Sequence, residues 1–141
     1  PQPGLDQLDS LMDGVRRAGL SVSVRYTPVV LPLALDLAAY RVLQEALTNV
    51  LRHAPGARTE VLIAPECTAS GESELVIEVT NDAGSPGTSP GGGAGTGLLG
   101  LAERLRVIGG TLEHGRRLGG GYRVRARMPL DAASTGAGAA R

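Results

Sequence analysis

The alternation of apolar and polar residues predicts one long amphipathic helix over residues 33–54. At about 100° per residue, its apolar positions fill one broad arc. They are Val42, Leu43, Ala46, Leu47, Val50, Leu51 and Ala54. The pair Pro55 and Gly56 follows directly and is typical of a helix end. The segment therefore predicts a helix with one buried face.

A polar stripe lies along one edge of this predicted arc. Glu45, Asn49 and His53 are spaced four residues apart and stack on one side of a helix, with Arg52 close to Glu45. An Asn oxygen can ligate Mg²⁺, a Glu can position or deprotonate a hydroxyl or water, and Arg and His can hold phosphate oxygens. The stripe therefore indicates a site, although an ordinary helix with a solvated polar edge explains it equally well.

Similar patterns predict two more helices and five strands. The helices are expected over residues 5–18 and 98–108, and the strands over residues 21–27, 59–64, 74–80, 111–114 and 122–128. The polar segment between the second and third strands suggests an antiparallel hairpin. The order of these elements predicts an α+β fold, a mixed sheet packed on one face against about three helices.

Composition limits the chain to one domain and disfavours several functions. The 141 residues suffice for one core, and Lys plus Arg equals Asp plus Glu at 14 each. Without a basic stripe carrying aromatic residues, nucleic-acid binding is disfavoured. Cys67, expected in the hairpin loop, is the single cysteine and fits a reducing cytoplasm.

The remaining features suggest how the chain is organised. No apolar run reaches membrane-spanning length, so we expect a cytoplasmic domain without direct membrane contact. Residues 1–130 are expected to form that domain, followed by a disordered tail at residues 131–141. The start at Pro1, without an initiator Met, suggests a fragment of a longer protein.

A glycine motif precedes the last predicted helix. Residues 95–100 read GTGLLG and match G-x-G-x-x-G. A dinucleotide fold needs a strand directly before this motif, whereas residues 85–94 are rich in Gly, Pro and Ser; the lysine of a P-loop is also absent. A glycine pair at a helix start can bring N–H groups close to phosphate. We expect residues 85–94 to form a lid, although a plain linker or hinge fits the same pattern.

A second polar motif follows the third predicted strand. Residues 81–84 read NDAG. A polar side chain at a strand end can accept a hydrogen bond from an exocyclic amine such as that of adenine. Taken alone, however, this stretch is better explained as an ordinary turn.

The order of these motifs resembles the ATP-binding domain of sensor histidine kinases. Residues 45–53, with the pattern E-x-x-x-N-x-x-R-H, resemble the N box of that family. Residues 81–84 lie where its G1 box falls, and residues 95–104 look like its G2 box. Segments within residues 109–124 resemble its closing hairpin. The resemblance covers residues 3–130 and is nearest to the compact-lid subgroup of the superfamily that includes gyrase, Hsp90 and MutL.

The resemblance implies a two-layer Bergerat-type sandwich that binds Mg²⁺ and ATP between the long helix and the lid. Asn49 would hold Mg²⁺, and Glu45 would polarise the reacting centre. The residues implied to contact ATP are Asn49, Arg52, His53, Asn81, Asp82, Ala83, Gly84, Gly95, Thr96, Gly97, Leu98 and Gly100. The phosphoryl acceptor would be a histidine on a separate dimerisation domain of the same protein, and a response regulator would be a further partner.

The G1 motif departs from the family pattern. Asn81 stands where the family usually has an Asp that accepts the adenine amine, and Ala83 and Ser85 replace two glycines. An Asn can accept through its oxygen but brings an NH₂ group that must be turned away; alternatively, Asp82 takes the role. The leading interpretation is the catalytic domain of a two-component histidine kinase. An anti-sigma-factor-type serine kinase and a degenerate nucleotide-binding module without catalysis are the alternatives.

Overall fold

The computed structural model describes residues 2–83 and 95–130. Its elements, in chain order, are a 3₁₀ turn at Leu5–Gln7, helix α1 (Leu8–Arg17), strand β1 (Ser21–Tyr26), helix α2 (Leu33–His53), strands β2 (Arg58–Cys67) and β3 (Ser73–Asn81), helix α3 (Gly95–Val107), and strands β4 (Thr111–Arg116) and β5 (Tyr122–Pro129). The lid expected at residues 85–94 and the tail expected at residues 131–141 lie outside the described residues.

The five strands form one mixed sheet in the order β1-β2-β3-β5-β4. Only β1 and β2 pair in parallel, and the other three pairs are antiparallel, including the predicted β2–β3 hairpin. Alternate residues of β3 and β5, such as Ile77 and Ala126, are buried in the core that the helices cover. Their neighbours Glu78 and Arg125 point to the opposite face and form an ion pair of 3.0 Å. The predicted α+β fold is therefore confirmed.

Helix α2 carries the buried face that its sequence predicts. Leu43 and Leu47 are fully buried, and the side chain of Asn49 lies at the edge of the same face with 6% exposure. Near the start of the helix, the carboxylate of Asp36 accepts the N–H of Leu5 at 2.9 Å. This contact fastens the first turn of the chain to α2, the helix that carries the polar stripe.

Strand β2 is longer than the sequence predicts. It continues through Pro65 to Cys67, so the cysteine ends a strand and does not lie in the hairpin loop as expected. The carbonyl of Ile63 accepts the N–H of Thr27 at 2.9 Å, which shows that this side of β2 faces β1. Pro65 faces the same side two residues later, where the pairing with β1 has ended at Tyr26. The missing N–H of the proline therefore removes no ladder bond.

Helix α3 begins earlier than its apolar pattern predicts. Its first residue is Gly95, so the glycine pair forms part of the first helical turn and does not precede the helix. Leu98 and Leu105 are fully buried and pack the helix into the core. The first predicted helix is likewise divided, since a 3₁₀ turn precedes α1.

Candidate functional site

A pocket of about 400 Å³ opens beside the second half of α2. Its walls are the last two turns of α2, the end of β3 with the residues that follow, and the β4–β5 hairpin. This volume lies within the range of about 300–1,000 Å³ that is typical of small-molecule sites. The pocket therefore joins two of the sequence motifs, at residues 45–53 and 81–84.

Asn49 is the most unusual side chain of the pocket. It lines the wall formed by α2 and is 6% exposed. Within the described part of the chain, neither its Oδ1 nor its Nδ2 atom has a hydrogen-bond partner. Leaving a buried polar group unpaired costs about 1–3 kcal/mol, so packing alone does not explain an asparagine here.

The other members of the polar stripe lie one helical turn to either side of Asn49. His53 lines the pocket, and its Nε2 atom is buried without a partner among the described residues. Glu45 does not line the pocket; its half-buried carboxylate packs against Gly97 in the first turn of α3, where a Cβ atom would collide with it. The stripe on α2 therefore begins beside the start of α3, at Glu45, and ends in the pocket, at His53. Arg52 is exposed and does not line the pocket.

The end of β3 presents two polar residues with different partners. Asn81 is 5% exposed, and its Nδ2 donates to the main-chain carbonyl of Asp82 at 2.7 Å. Asp82 is exposed; its N–H donates to the carbonyl of Arg58 at 3.0 Å, and its Oδ1 accepts the N–H of Arg58 at 3.2 Å. Both residues and Ala83 line the pocket. The geometry therefore places the carboxamide of Asn81 in the wall and ties the Asp82 carboxylate to the start of β2.

The β4–β5 hairpin supplies a wall that the sequence motifs do not identify. The residues of this wall are Arg116, Arg117, Gly120, Gly121 and Tyr122. Arg117 donates from Nη1 to the carbonyl of Asn81 at 3.3 Å. The guanidinium groups of Arg116 and Arg117 give this pocket cationic character, which favours an anionic ligand. The only local signal in the sequence was the glycine run before β5, which predicts a turn but no ligand contact.

Among the residues whose burial is described, Gly97, Leu98 and Gly100 of the glycine motif lie outside the pocket wall, and Gly97 lies beside the stripe. Leu98 is fully buried in the core, and a Cβ atom on Gly100 would meet no atom within 4 Å. Gly95 and Thr96 belong to the first helical turn, and Gly84 lies outside the described residues. The first turn of α3 thus lies against the carboxylate of Glu45 at Gly97.

Two kinds of feature are absent from the described residues. Among residues 2–83 and 95–130, no three His, Cys, Asp or Glu side chains are grouped closely enough to hold a metal ion by themselves. In the same part of the chain, no helix combines the length and apolar character needed to cross a membrane.

Comparison with known proteins identifies sequence relatives. Residues 35–132 match the family described as "Histidine kinase-, DNA gyrase B-, and HSP90-like ATPase". Sensor histidine kinase YxjM of Bacillus subtilis (strain 168) is 31% identical over 131 residues, which cover 90% of this chain and 30% of that protein. Sensor histidine kinase LnrJ of the same organism is 32% identical over 120 residues, which cover 84% and 28%. The chain thus spans less than a third of the length of these relatives.

Solved structures share the fold. The histidine kinase domain of the Erythrobacter litoralis EL346 blue-light activated histidine kinase has a TM-score of 0.64 at 22% identity, covering 90% of this chain and 59% of that chain. Mycobacterial sensor histidine kinase MprB has a TM-score of 0.56 at 20% identity, covering 88% and 93%. The family match extends over more than half of the chain and agrees with the motif order. The chain therefore belongs to the histidine kinase-, DNA gyrase B- and HSP90-like ATPase family.

Proposed function

We propose that this domain binds Mg²⁺ and ATP in the pocket and donates the γ-phosphoryl group to a histidine on a separate dimerisation domain of the same sensor kinase. The observation that carries the proposal is the buried, unpaired carboxamide of Asn49 on the pocket wall, in a chain of this ATPase family. The naming of two relatives as sensor histidine kinases supports the choice of acceptor.

Asn49 fits the role of a magnesium ligand. Mg²⁺ prefers oxygen ligands, keeps several waters and is usually held by one or two protein groups together with substrate phosphates. The Oδ1 atom of Asn49 supplies such an oxygen, and the lack of a group of three acidic, His or Cys side chains in the described residues agrees with a metal held mostly by phosphate and water. When bound, Mg²⁺ would neutralise charge on the phosphates.

The remaining residues are assigned either to the adenine end or to the phosphate end of the nucleotide. Asn81 accepts the amine of adenine through Oδ1, beside Asp82, Ala83 and Gly84 of the G1 motif. His53, and Arg52 from the exposed side of α2, contact phosphate oxygens. The first turns of α3 form the phosphate end, since N–H groups at a helix start attract phosphate. The residues assigned to this end are Gly95, Thr96, Gly97, Leu98 and Gly100.

Glu45 is the proposed catalytic residue. Its carboxylate lies against Gly97 at the start of α3, between the phosphate end and Asn49 on the stripe. A carboxylate at this place can polarise or orient the attacking imidazole. As the new N–P bond forms on the acceptor histidine, the bond to the β-phosphate oxygen breaks and ADP leaves. Most of the rate enhancement comes from alignment and charge neutralisation.

The proposed reaction also defines the wider partners. The phosphorylated dimerisation domain would pass its phosphoryl group to a response regulator. Because ATP and response regulators are cytoplasmic molecules, the proposal places this domain in the cytoplasm.

Phosphoryl transfer from γ-labelled ATP tests the proposal. The chain alone should acquire no acid-labile label, because His53 lies in the pocket and Nδ1 of His114 is hydrogen-bonded to the Tyr122 hydroxyl at 2.7 Å. Adding the dimerisation domain should give label on that domain. Glu45→Gln should slow this transfer by about 100-fold or more while ATP still binds, because general acid–base and orienting groups contribute about 10²–10⁴.

The matched control is Glu60→Gln, which changes an exposed carboxylate on β2 and should transfer at the wild-type rate. Label on the chain alone would place an acceptor within these residues. A wild-type rate for Glu45→Gln would remove Glu45 from the mechanism.

A further inference from the structure

The proposed function does not explain how Asn81 can recognise adenine at a position where the family usually has an aspartate. We infer that the side chain of Asn81 is held in one orientation, in which it can only accept a hydrogen bond from the group at the purine 6-position. Asp82 and Arg117 are the positioning residues, and their contacts that hold Asn81 are called the lock. This inference rests on the proposed function and deepens it, because it determines which nucleotide the pocket selects.

The two ends of a carboxamide have opposite chemistry. An asparagine that turns freely can accept from the 6-amino group of adenine or donate to the 6-keto oxygen of guanine. In this pocket the Nδ2 of Asn81 donates to the carbonyl of Asp82 at 2.7 Å. Turning the amide over would place Oδ1 against that carbonyl oxygen, and two acceptors without a proton repel. The orientation is therefore fixed, and Oδ1 is the atom that Asn81 offers to a ligand.

The carbonyl that orients Asn81 is itself held in place. The main chain and carboxylate of Asp82 make two hydrogen bonds with the main chain of Arg58, at 3.0 and 3.2 Å. They tie residue 82 to the first residue of β2. The carboxylate of Asp82 thus acts on the ligand through the backbone and Asn81.

The hairpin fixes the neighbouring peptide group from the other side. Arg117 donates from Nη1 to the carbonyl of Asn81 at 3.3 Å. Gly121 has φ of +94°, and a Cβ atom there would collide with the same carbonyl oxygen. Asn81 therefore lies between contacts from β2 and from the hairpin, which together leave its side chain little freedom to turn.

A carboxylate at this position would need no such lock, because both of its oxygens only accept. An asparagine does need it, since a loosened amide can donate to guanine as readily as it accepts from adenine. The wild-type chain should therefore prefer ATP over GTP, and loosening the lock should weaken that preference.

Calorimetric titration of Mg²⁺·ATP and Mg²⁺·GTP measures the preference as a ratio of dissociation constants. Asp82→Ala and Arg117→Met should each lower the preference for ATP by about two- to tenfold, mainly through tighter GTP binding, which is the range of one hydrogen bond. Asp82→Asn should retain the preference, because its Oδ1 can still accept the N–H of Arg58. The controls Asp13→Ala and Arg41→Met change exposed groups on α1 and α2 and should retain it as well.

A double variant separates the lock from a general structural effect. In the Asp82→Ala background, Asn81→Asp removes the donor and should restore the preference for ATP. Melting curves show whether each variant folds, and Arg117→Met tests the lock without altering the ties to β2.

An unchanged ratio in folded Asp82→Ala and Arg117→Met, or a double variant no more selective than Asp82→Ala, would overturn the inference. A loss of ATP affinity in Asp82→Ala without a gain for GTP would also overturn it, since Asp82 would then contact the base directly. If the wild-type chain bound neither nucleotide, the proposed function would fail as well, so the two failures are distinguishable.

Discussion

At the scale of single residues, the site is marked by polar groups that the fold alone does not satisfy. Both polar atoms of Asn49 and the Nε2 atom of His53 are buried without partners in the described part of the chain. Such groups lower the stability of a domain, and the proposed ligand would supply the missing partners.

We predict that Asn49 supports ligand binding at a cost in the stability of the domain. Asn49→Leu should raise the free energy of unfolding by about 1–3 kcal/mol, because it replaces an unpaired carboxamide with an apolar group of similar size. The same variant should lose binding of Mg²⁺·ATP. Urea denaturation measures the first effect. Gln44→Leu, on the exposed side of α2, is the control and should change stability by less than about 0.5 kcal/mol. A destabilised Asn49→Leu would show that the carboxamide has a structural partner after all.

Single residues also show how far the sequence predicts this site. The spacing of Glu45, Asn49 and His53 places them on one helix edge, since helical geometry is local. The different hydrogen-bond partners of Asn81 and Asp82 were not predictable, because they depend on contacts with Arg58 and Arg117, which are 24 and 36 residues away along the chain. The part played by the hairpin arginines was missed for the same reason.

At the scale of elements, the start of α3 connects the glycine motif to the polar stripe. Gly97→Ala should leave the fold intact, because its Cβ atom would displace only the flexible end of Glu45. Alanine is also the better helix former by about 0.5–1 kcal/mol. Transfer of phosphoryl to the dimerisation domain should nevertheless fall, since the displaced carboxylate is the proposed catalytic group. Rates of label transfer and thermal melts measure the two effects separately.

The control for Gly97→Ala is Gly14→Ala on α1. A Cβ atom on Gly14 would meet nothing within 4 Å, so this variant should gain similar helix stability and keep the transfer rate. Equal transfer rates for Gly97→Ala and Gly14→Ala would show that phosphoryl transfer does not depend on the position of the Glu45 carboxylate beside Gly97.

Element boundaries follow from sequence only where local patterns decide them. The long apolar period of α2 predicted its limits to within a residue. The extent of β2 through Pro65 was not predictable. A proline interrupts a strand unless the adjacent strand has already ended, and here that depends on where the pairing with β1 ends. The early start of α3 was hidden by its glycines, which read as loop residues.

At the scale of the molecule, the two-layer architecture places the site at one end of the helix–sheet interface. One face of the sheet packs on the helices, and the other carries charged pairs such as Arg127–Glu74 at 3.7 Å. The pocket forms where α2, the end of β3 and the β4–β5 hairpin meet. The fold class was predictable because element order and the helix-facing apolar pattern specify it. The pocket was not, since it arises from the meeting of three distant segments.

The proposed site depends on the binding of Mg²⁺·ATP through Asn49, which calorimetric titration measures. The wild-type chain should bind one Mg²⁺·ATP, with weaker binding when EDTA removes the metal. Asn49→Ala should keep its circular dichroism spectrum and lose affinity by about tenfold or more, as expected for the loss of a contact to a charged group. If folded Asn49→Ala bound Mg²⁺·ATP as tightly as the wild-type chain, Asn49 would not be a ligand of the bound metal.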